Sequence, residues 1–185
     1  MRSAGTVAGR AAIVGLVGLA VVWAARAAEA VHSTPEAVHS TAEERAQAVR
    51  YARELVKDPL ADAAEEKRRW LVAWYERIPD ITVTVCGLLG PLPAPGHPFF
   101  SKVLDQSLIS GGAFIIEHPG QADDELAIQT AAMEGSLRVY EAYARAQPLY
   151  RLHFVDDLLA RRRAGTLAAY LREAVPKGCA TEAPR

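Results

Sequence analysis

The chain is predicted to fold as an all-α protein, a small helical bundle of about five to seven helices behind a cleaved N-terminal signal peptide. Three observations carry that prediction. Apolar residues recur at three- and four-residue steps through most of the chain beyond residue 40, which is the period of one helix face. Polar or acidic residues stand ahead of those runs and proline or glycine behind them, as helix ends require. The first thirty residues have instead the charged, apolar, small-residue order of an export signal.

Within that signal, Arg2 and Arg10 supply positive charge and Ala11 to Ala25 run without any. Small residues then offer two cleavage sites, Ala25-Arg26-Ala27 and Ala28-Glu29-Ala30. The apolar run is shorter than the ~18 residues that a spanning helix needs, and it contains Gly15 and Gly18. Residues 1–30 therefore read as a signal peptide, 31–40 as a flexible leader around Pro35, and 41–185 as a single helical domain. The competing reading of the first segment is a retained anchor, which would make a membrane-tethered structural protein. After cleavage no stable membrane insertion is expected, and the location is periplasmic or secreted. Such compartments permit disulfides, and Cys86 and Cys179 are the only two cysteines. One structural disulfide between them is expected.

The helices follow in order. Ser40 and Glu43 have the spacing of a capping box, and Ala42, Ala46, Val49, Ala52 and Val56 mark the inward face of a helix that ends at Asp58-Pro59. Asp62 and Glu65 repeat the capping logic for a helix reaching Ile78, with Trp70, Leu71, Trp74 and Ile78 on one face. Residues 81–89 allow two readings. Ile81-Thr82-Val83-Thr84-Val85 alternates like a strand, but Ile81, Val85, Leu88 and Leu89 also fall on one helix face, and a strand would have only Phe114 to Glu117 as a partner. A helix capped by Asp80 is the expectation. Gly90 to Pro98 is a loop rich in Pro and Gly.

Pro98 suits the first turn of the next helix. Its stripe includes Phe100, Val103, Leu104, Ser107, Leu108, Gly111, Phe114 and Ile115. Gly111-Gly112 inside it implies the close approach of another helix backbone. Gln121 to Gln147 reads as the longest helix, with Asp123, Asp124 and Glu125 in its first turn and Leu126, Thr130, Met133, Leu137, Tyr140 and Ala144 inward. A helix from Val155 stops at Gly165, and a last one, capped by Thr166, runs from Leu167 to Val175 before Pro176.

A formal net charge of −1 over 185 residues excludes the electrostatic footprint of a nucleic-acid binder. No nucleophile elbow, zinc-protease, phosphate-loop or dinucleotide motif is present, and the cysteines are too far apart for a C-x-x-C redox site. The densest polar group is Glu117, His118, Asp123, Asp124 and Glu125. As helix-end residues they complement helix dipoles. As a site, Glu117, His118, Asp123 and Asp124 are the candidate ligand-binding residues, able in principle to hold a divalent cation or move protons. His153 with Asp156 and Asp157 reads as a helix start, Arg161-Arg162-Arg163 as a basic helix end, and Glu134 with Arg138 as an exposed helical ion pair.

The layout, an export signal followed by a short helical domain with a late cysteine, resembles that of small exported bacterial proteins such as periplasmic acid-stress chaperones and toxin-neutralising immunity proteins. No motif here belongs to either group, and no residue role is carried over. The functional expectation is an exported, non-enzymatic protein that binds a protein or small-molecule partner and uses no cofactor or resident metal. Exposed aromatics are the expected contact surface of such a protein, with Phe99, Phe154, Tyr143 and Tyr150 as candidates. The alternative is a metal-binding or hydrolytic protein built on the Glu117, His118, Asp123 and Asp124 cluster.

Overall fold

The computed structural model describes residues 39–179, Leu92 excepted. The expected signal peptide and nearly all of the expected leader lie outside the described residues. Six α-helices carry the fold: α1 (Ala42–Lys57), α2 (Ala64–Arg77), α3 (Phe100–Glu117), α4 (Glu125–Ala146), α5 (His153–Arg163) and α6 (Leu167–Gly178). Three single 3₁₀ turns join them, and the described residues include no β-strand. No helix among them is long and apolar enough to cross a membrane.

Helix α3 packs along α4, and this pair joins two apolar clusters. On one side α1 and α2 contribute Ala48, Ala52, Leu55, Leu71, Trp74 and Tyr75, which meet Ile109 and Ala113 of α3. On the other, α5 and α6 contribute Val155, Leu158, Leu159, Leu171 and Val175, which meet Leu137 and Tyr140 of α4. At about 1.5–3 kcal/mol for each large side chain removed from water, these two clusters dominate the favourable side of folding.

Helix α1 starts one residue later than expected. Thr41, not Ser40, forms the capping box, accepting from the Glu44 amide at 3.1 Å while Glu44 accepts from the Thr41 amide at 2.8 Å. Its buried face is Ala48, Ala52 and Leu55, and the expected Ala42 and Ala46 are exposed. The stripe is turned so that Leu55 takes a core position. In α2 the expected Asp62–Glu65 box does not form, and Ala63 stands at the cap without a side-chain bond. Glu65 instead accepts from Lys102 at 2.6 Å and from Arg68 at 3.0 Å. Leu71, Trp74 and Ile78 are buried as the face predicted and Tyr75 joins them, while Trp70 is half-buried and stacked on Trp74.

Ser40 has a different task. Its hydroxyl donates to Asp80 at 2.7 Å and accepts from Arg45 Nε at 2.7 Å, and Arg45 Nη2 reaches the same carboxylate at 2.5 Å. This triad fixes the start of α1 to the segment after α2. Burial alone would raise the Asp80 carboxyl, but hydrogen bonds from the Ser40 hydroxyl, Arg45 and the Ser40 amide outweigh it and hold the group down to about 2. A carboxyl held below its unfolded value adds stability that is complete above pH ~4 and is lost as the pH falls towards 2. Asp80→Asn is expected to cost about 1–2 kcal/mol at pH 7 and to flatten the acid limb of stability between pH 4 and 2. Urea melts of both proteins across that range check this, and parallel limbs would refute it.

The 81–89 helix is corrected by the structure. Residues 81–86 form no regular secondary structure and only Gly87–Leu89 turn, as a 3₁₀ helix. Asp80 is engaged by Ser40 and Arg45 and does not cap a following helix. The segment runs without a strand partner, and Phe114 to Glu117 belongs to α3. A side chain replaces the ladder: buried Gln129 of α4 donates to the Thr84 carbonyl at 2.6 Å, satisfying an acceptor that a strand would have paired.

Pro98 lies two residues ahead of α3, whose first amide, Phe100 N, is instead capped by His97 Nδ1 at 3.2 Å. The Gly111-Gly112 pair does admit a close approach, but by side chains. A Cβ on Gly111 would meet Val83 Cγ1 at 2.9 Å, and one on Gly112 would fall against the Tyr75 ring, 2.5 Å from its hydroxyl oxygen.

Asp124 caps α4 through the Ala127 amide at 3.0 Å, with Glu125 in the first turn and Asp123 outside it. The buried Tyr140 hydroxyl accepts from the Leu152 amide at 2.7 Å and donates to Asp156 at 3.0 Å, anchoring α5 to α4. The α5 helix ends in a left-handed Gly165 (φ +71°), with Thr166 N–H returning to Arg161 O and Gly165 N–H to Arg162 O, the double bond of a Schellman stop. Thr166 is therefore turned back to α5 and its side chain does not cap α6. Helix α6 runs through Pro176 to Gly178, beyond the expected stop at Val175. In a final turn the missing proline N–H removes only one bond, and the Cys179 amide closes the turn on Val175 O at 3.0 Å. Cys179 and Cys86 stand at bonding distance, 2.00 Å between sulfurs, across 93 positions. That expectation from two lone cysteines holds.

Candidate functional site

Each of the four candidate ligand residues has a place in a helix end. Glu117 is the last residue of α3 and pairs with Arg53 of α1. His118 follows as the C-cap, exposed, with its ring 4.5 Å from that of Phe114. Asp123 is exposed in the connecting turn, and the Asp124 carboxylate is engaged by the α4 amide it caps. The structure does not bring these four together as ligands. Among the described residues, the one set of three or more candidate ligand atoms within 4.8 Å of one another is Cys86, Glu125 and Cys179.

In that set the two sulfurs are bonded to each other, so neither is a thiolate able to ligate. The Glu125 carboxylate lies 3.9 Å from Cys86 Sγ, oriented by Gln129 Nε2 at 2.9 Å. A carboxylate there disfavours a neighbouring thiolate by like-charge repulsion, which opposes opening of the bridge.

The proposed aromatic contact surface divides. Phe99 and Tyr143 are buried and stacked with ring centroids 5.4 Å apart, so neither is available. Tyr143 also donates to the Pro59 carbonyl at 3.1 Å, which explains why its polar end is buried. Tyr150 and Phe154 are exposed by 48% and 38%, beside Leu149 at 95%. His97 Nε2 holds this segment through the Tyr150 carbonyl at 2.9 Å. The basic run is mostly tied down: Arg162 and Arg163 both pair with Glu141, at 2.9 and 2.7 Å, and Arg161 lies over the Tyr170 ring.

A concavity lies elsewhere, between α1, α3 and α4, with a volume of about 490 Å³. Its apolar wall comes from Ala52 and Val56 of α1, Ala113 and Phe114 of α3, and Ala131 of α4. Small side chains recur one helical turn apart on the facing helices, and that leaves the gap. At Gly135 helices α3 and α4 approach closely, and a Cβ there would meet Ser110 Cβ at 2.7 Å. Charged side chains stand among the lining: Arg53 and Lys57, Glu117, and Glu134 with Arg138. The expected Glu134–Arg138 ion pair is not made, and both side chains line the groove instead.

Sequence reading reached Glu117 but missed the groove. Ala52, Ala113 and Ala131 are ordinary helix residues, and nothing in their local spacing shows that they face one another. The available signal was local composition, the alanines of α4 and the Gly111-Gly112-Ala113 run of α3. An apolar concavity of this size with a few charged groups is the arrangement of a binding site. The one hydroxyl in its lining, Ser110, accepts from Gln106 Nε2 at 2.9 Å. In comparison with known proteins, no family, curated protein or solved structure matches this chain.

Proposed function

We propose that this is an exported binding protein whose groove between α1, α3 and α4 receives the apolar part of a partner, without a chemical step. One observation carries the reading: a concavity of about 490 Å³ walled by small apolar side chains from three helices. Its volume lies within the ~300–1,000 Å³ range of small-molecule sites. Export is supported by the signal-like order of residues 1–30 and by the bridged cysteines, which an oxidising compartment preserves. The Glu117, His118, Asp123 and Asp124 cluster serves this reading only through Glu117, which braces the groove by its pair with Arg53.

The test is Ala131→Phe, which fills the groove from an incompletely buried helical position and leaves the core untouched. Titration of the disulfide-bonded protein with a neutral apolar dye is expected to give saturable binding, weakened at least about tenfold by the substitution, which corresponds to about 1.4 kcal/mol. Circular dichroism melts should coincide for the two proteins. Equal dye affinity in both would overturn the proposal.

A further inference from the structure

Resting on that groove reading, we infer that the occupant is a single-chain carboxylate, an unbranched apolar tail carrying one anionic head. The wall selects the tail. Phe114 is its only aromatic ring, so stacking on a flat ligand is limited to one face. Ser110, its one uncharged polar side chain, accepts from Gln106 Nε2 at 2.9 Å and has a single hydroxyl proton to offer a ligand. A peptide or heterocycle laid in this groove would leave polar atoms desolvated without partners. A saturated chain has none to satisfy.

The charged lining selects the head. It holds three cations, Arg53, Lys57 and Arg138, against two acids, Glu117 and Glu134. Arg53 and Glu117 are paired with each other. Lys57 and Arg138 have no ion-pair partner among the described residues, and Glu134 is the one remaining acid. The balance is one positive charge, which a monoanionic head complements and a cationic head opposes. Both free cations are solvent-exposed, so the preference is modest and sensitive to salt.

Calorimetric titration of the disulfide-bonded protein with dodecanoate, dodecanol and dodecylammonium, below their aggregation thresholds, tests the inference. Dodecanoate is expected to bind about five- to tenfold more tightly than dodecanol, and dodecylammonium more weakly than either. The dodecanoate preference should vanish in the Lys57→Ala, Arg138→Ala double variant and shrink in high salt, whereas Ala131→Phe should weaken every chain. If dodecanoate and dodecanol bind alike and Ala131→Phe weakens both, the anionic head is refuted while the groove reading stands. If none of the three binds, or Ala131→Phe changes nothing, the groove and the inference fall together.

Discussion

Replacing Cys86 and Cys179 together by alanine is expected to lower the unfolding free energy by about 4 kcal/mol. The bridge closes a loop across 93 positions, and the conformational entropy of so long a loop is removed from the unfolded chain only while the bond exists. It also ties the end of α6 to the turn at Gly87–Leu89, where Leu88 packs against Gly178. Urea unfolding of the oxidised protein and the variant measures the loss directly. The entropic account further requires a larger m-value in the variant, because an unbridged chain exposes more surface on unfolding. An unchanged midpoint and slope would show that the bridge holds nothing the helices do not hold already.

Gly112→Val is expected to cost about 3 kcal/mol, because the new side chain must enter the space of a ring that is itself buried. A Cβ at this position would stand 2.5 Å from the Tyr75 hydroxyl oxygen. That hydroxyl is buried without a hydrogen-bond partner in the described structure, and burial pushes its pKa up strongly. It remains a neutral phenol with nowhere to retreat. Tyr75→Ala alone should cost about 3–5 kcal/mol through the cavity it leaves. Combined with Gly112→Val it should cost at least about 1 kcal/mol less than the sum, since the valine refills part of that cavity. Gly120, where a Cβ would meet nothing within 4 Å, is the control, and Gly120→Ala should leave stability unchanged. Strict additivity of the first two changes would show that Gly112 and Tyr75 do not share one space.

Much of the helical content was legible because its signals act within a turn or two. The end of α1 at Asp58-Pro59, the left-handed stop at Gly165 and the acidic first turn of α4 depend on neighbours no more than four residues away. Even so, the capping residue of α1 moved by one. Thr41 and Ser40 can both cap, and the choice fell to Asp80, forty positions on, which claims Ser40. The same distant contact explains the failure at residues 81–86. Their period suits a strand or a helix equally, and Gln129 of α4 decided for neither by supplying the Thr84 carbonyl with a donor.

By itself, then, the sequence determined the all-helical class of the described residues, several of their helix ends, and a single possible sulfur pairing, since local hydrogen bonding and a count of two cysteines leave few alternatives. The tertiary structure decided which face of α1 is buried, that Phe99 and Tyr143 are core while Tyr150 and Phe154 are not, and that alanines 52, 113 and 131 wall one groove. Burial and concavity belong to surfaces that meet from distant parts of the chain. A residue's own neighbours in sequence carry no record of which surface will cover it.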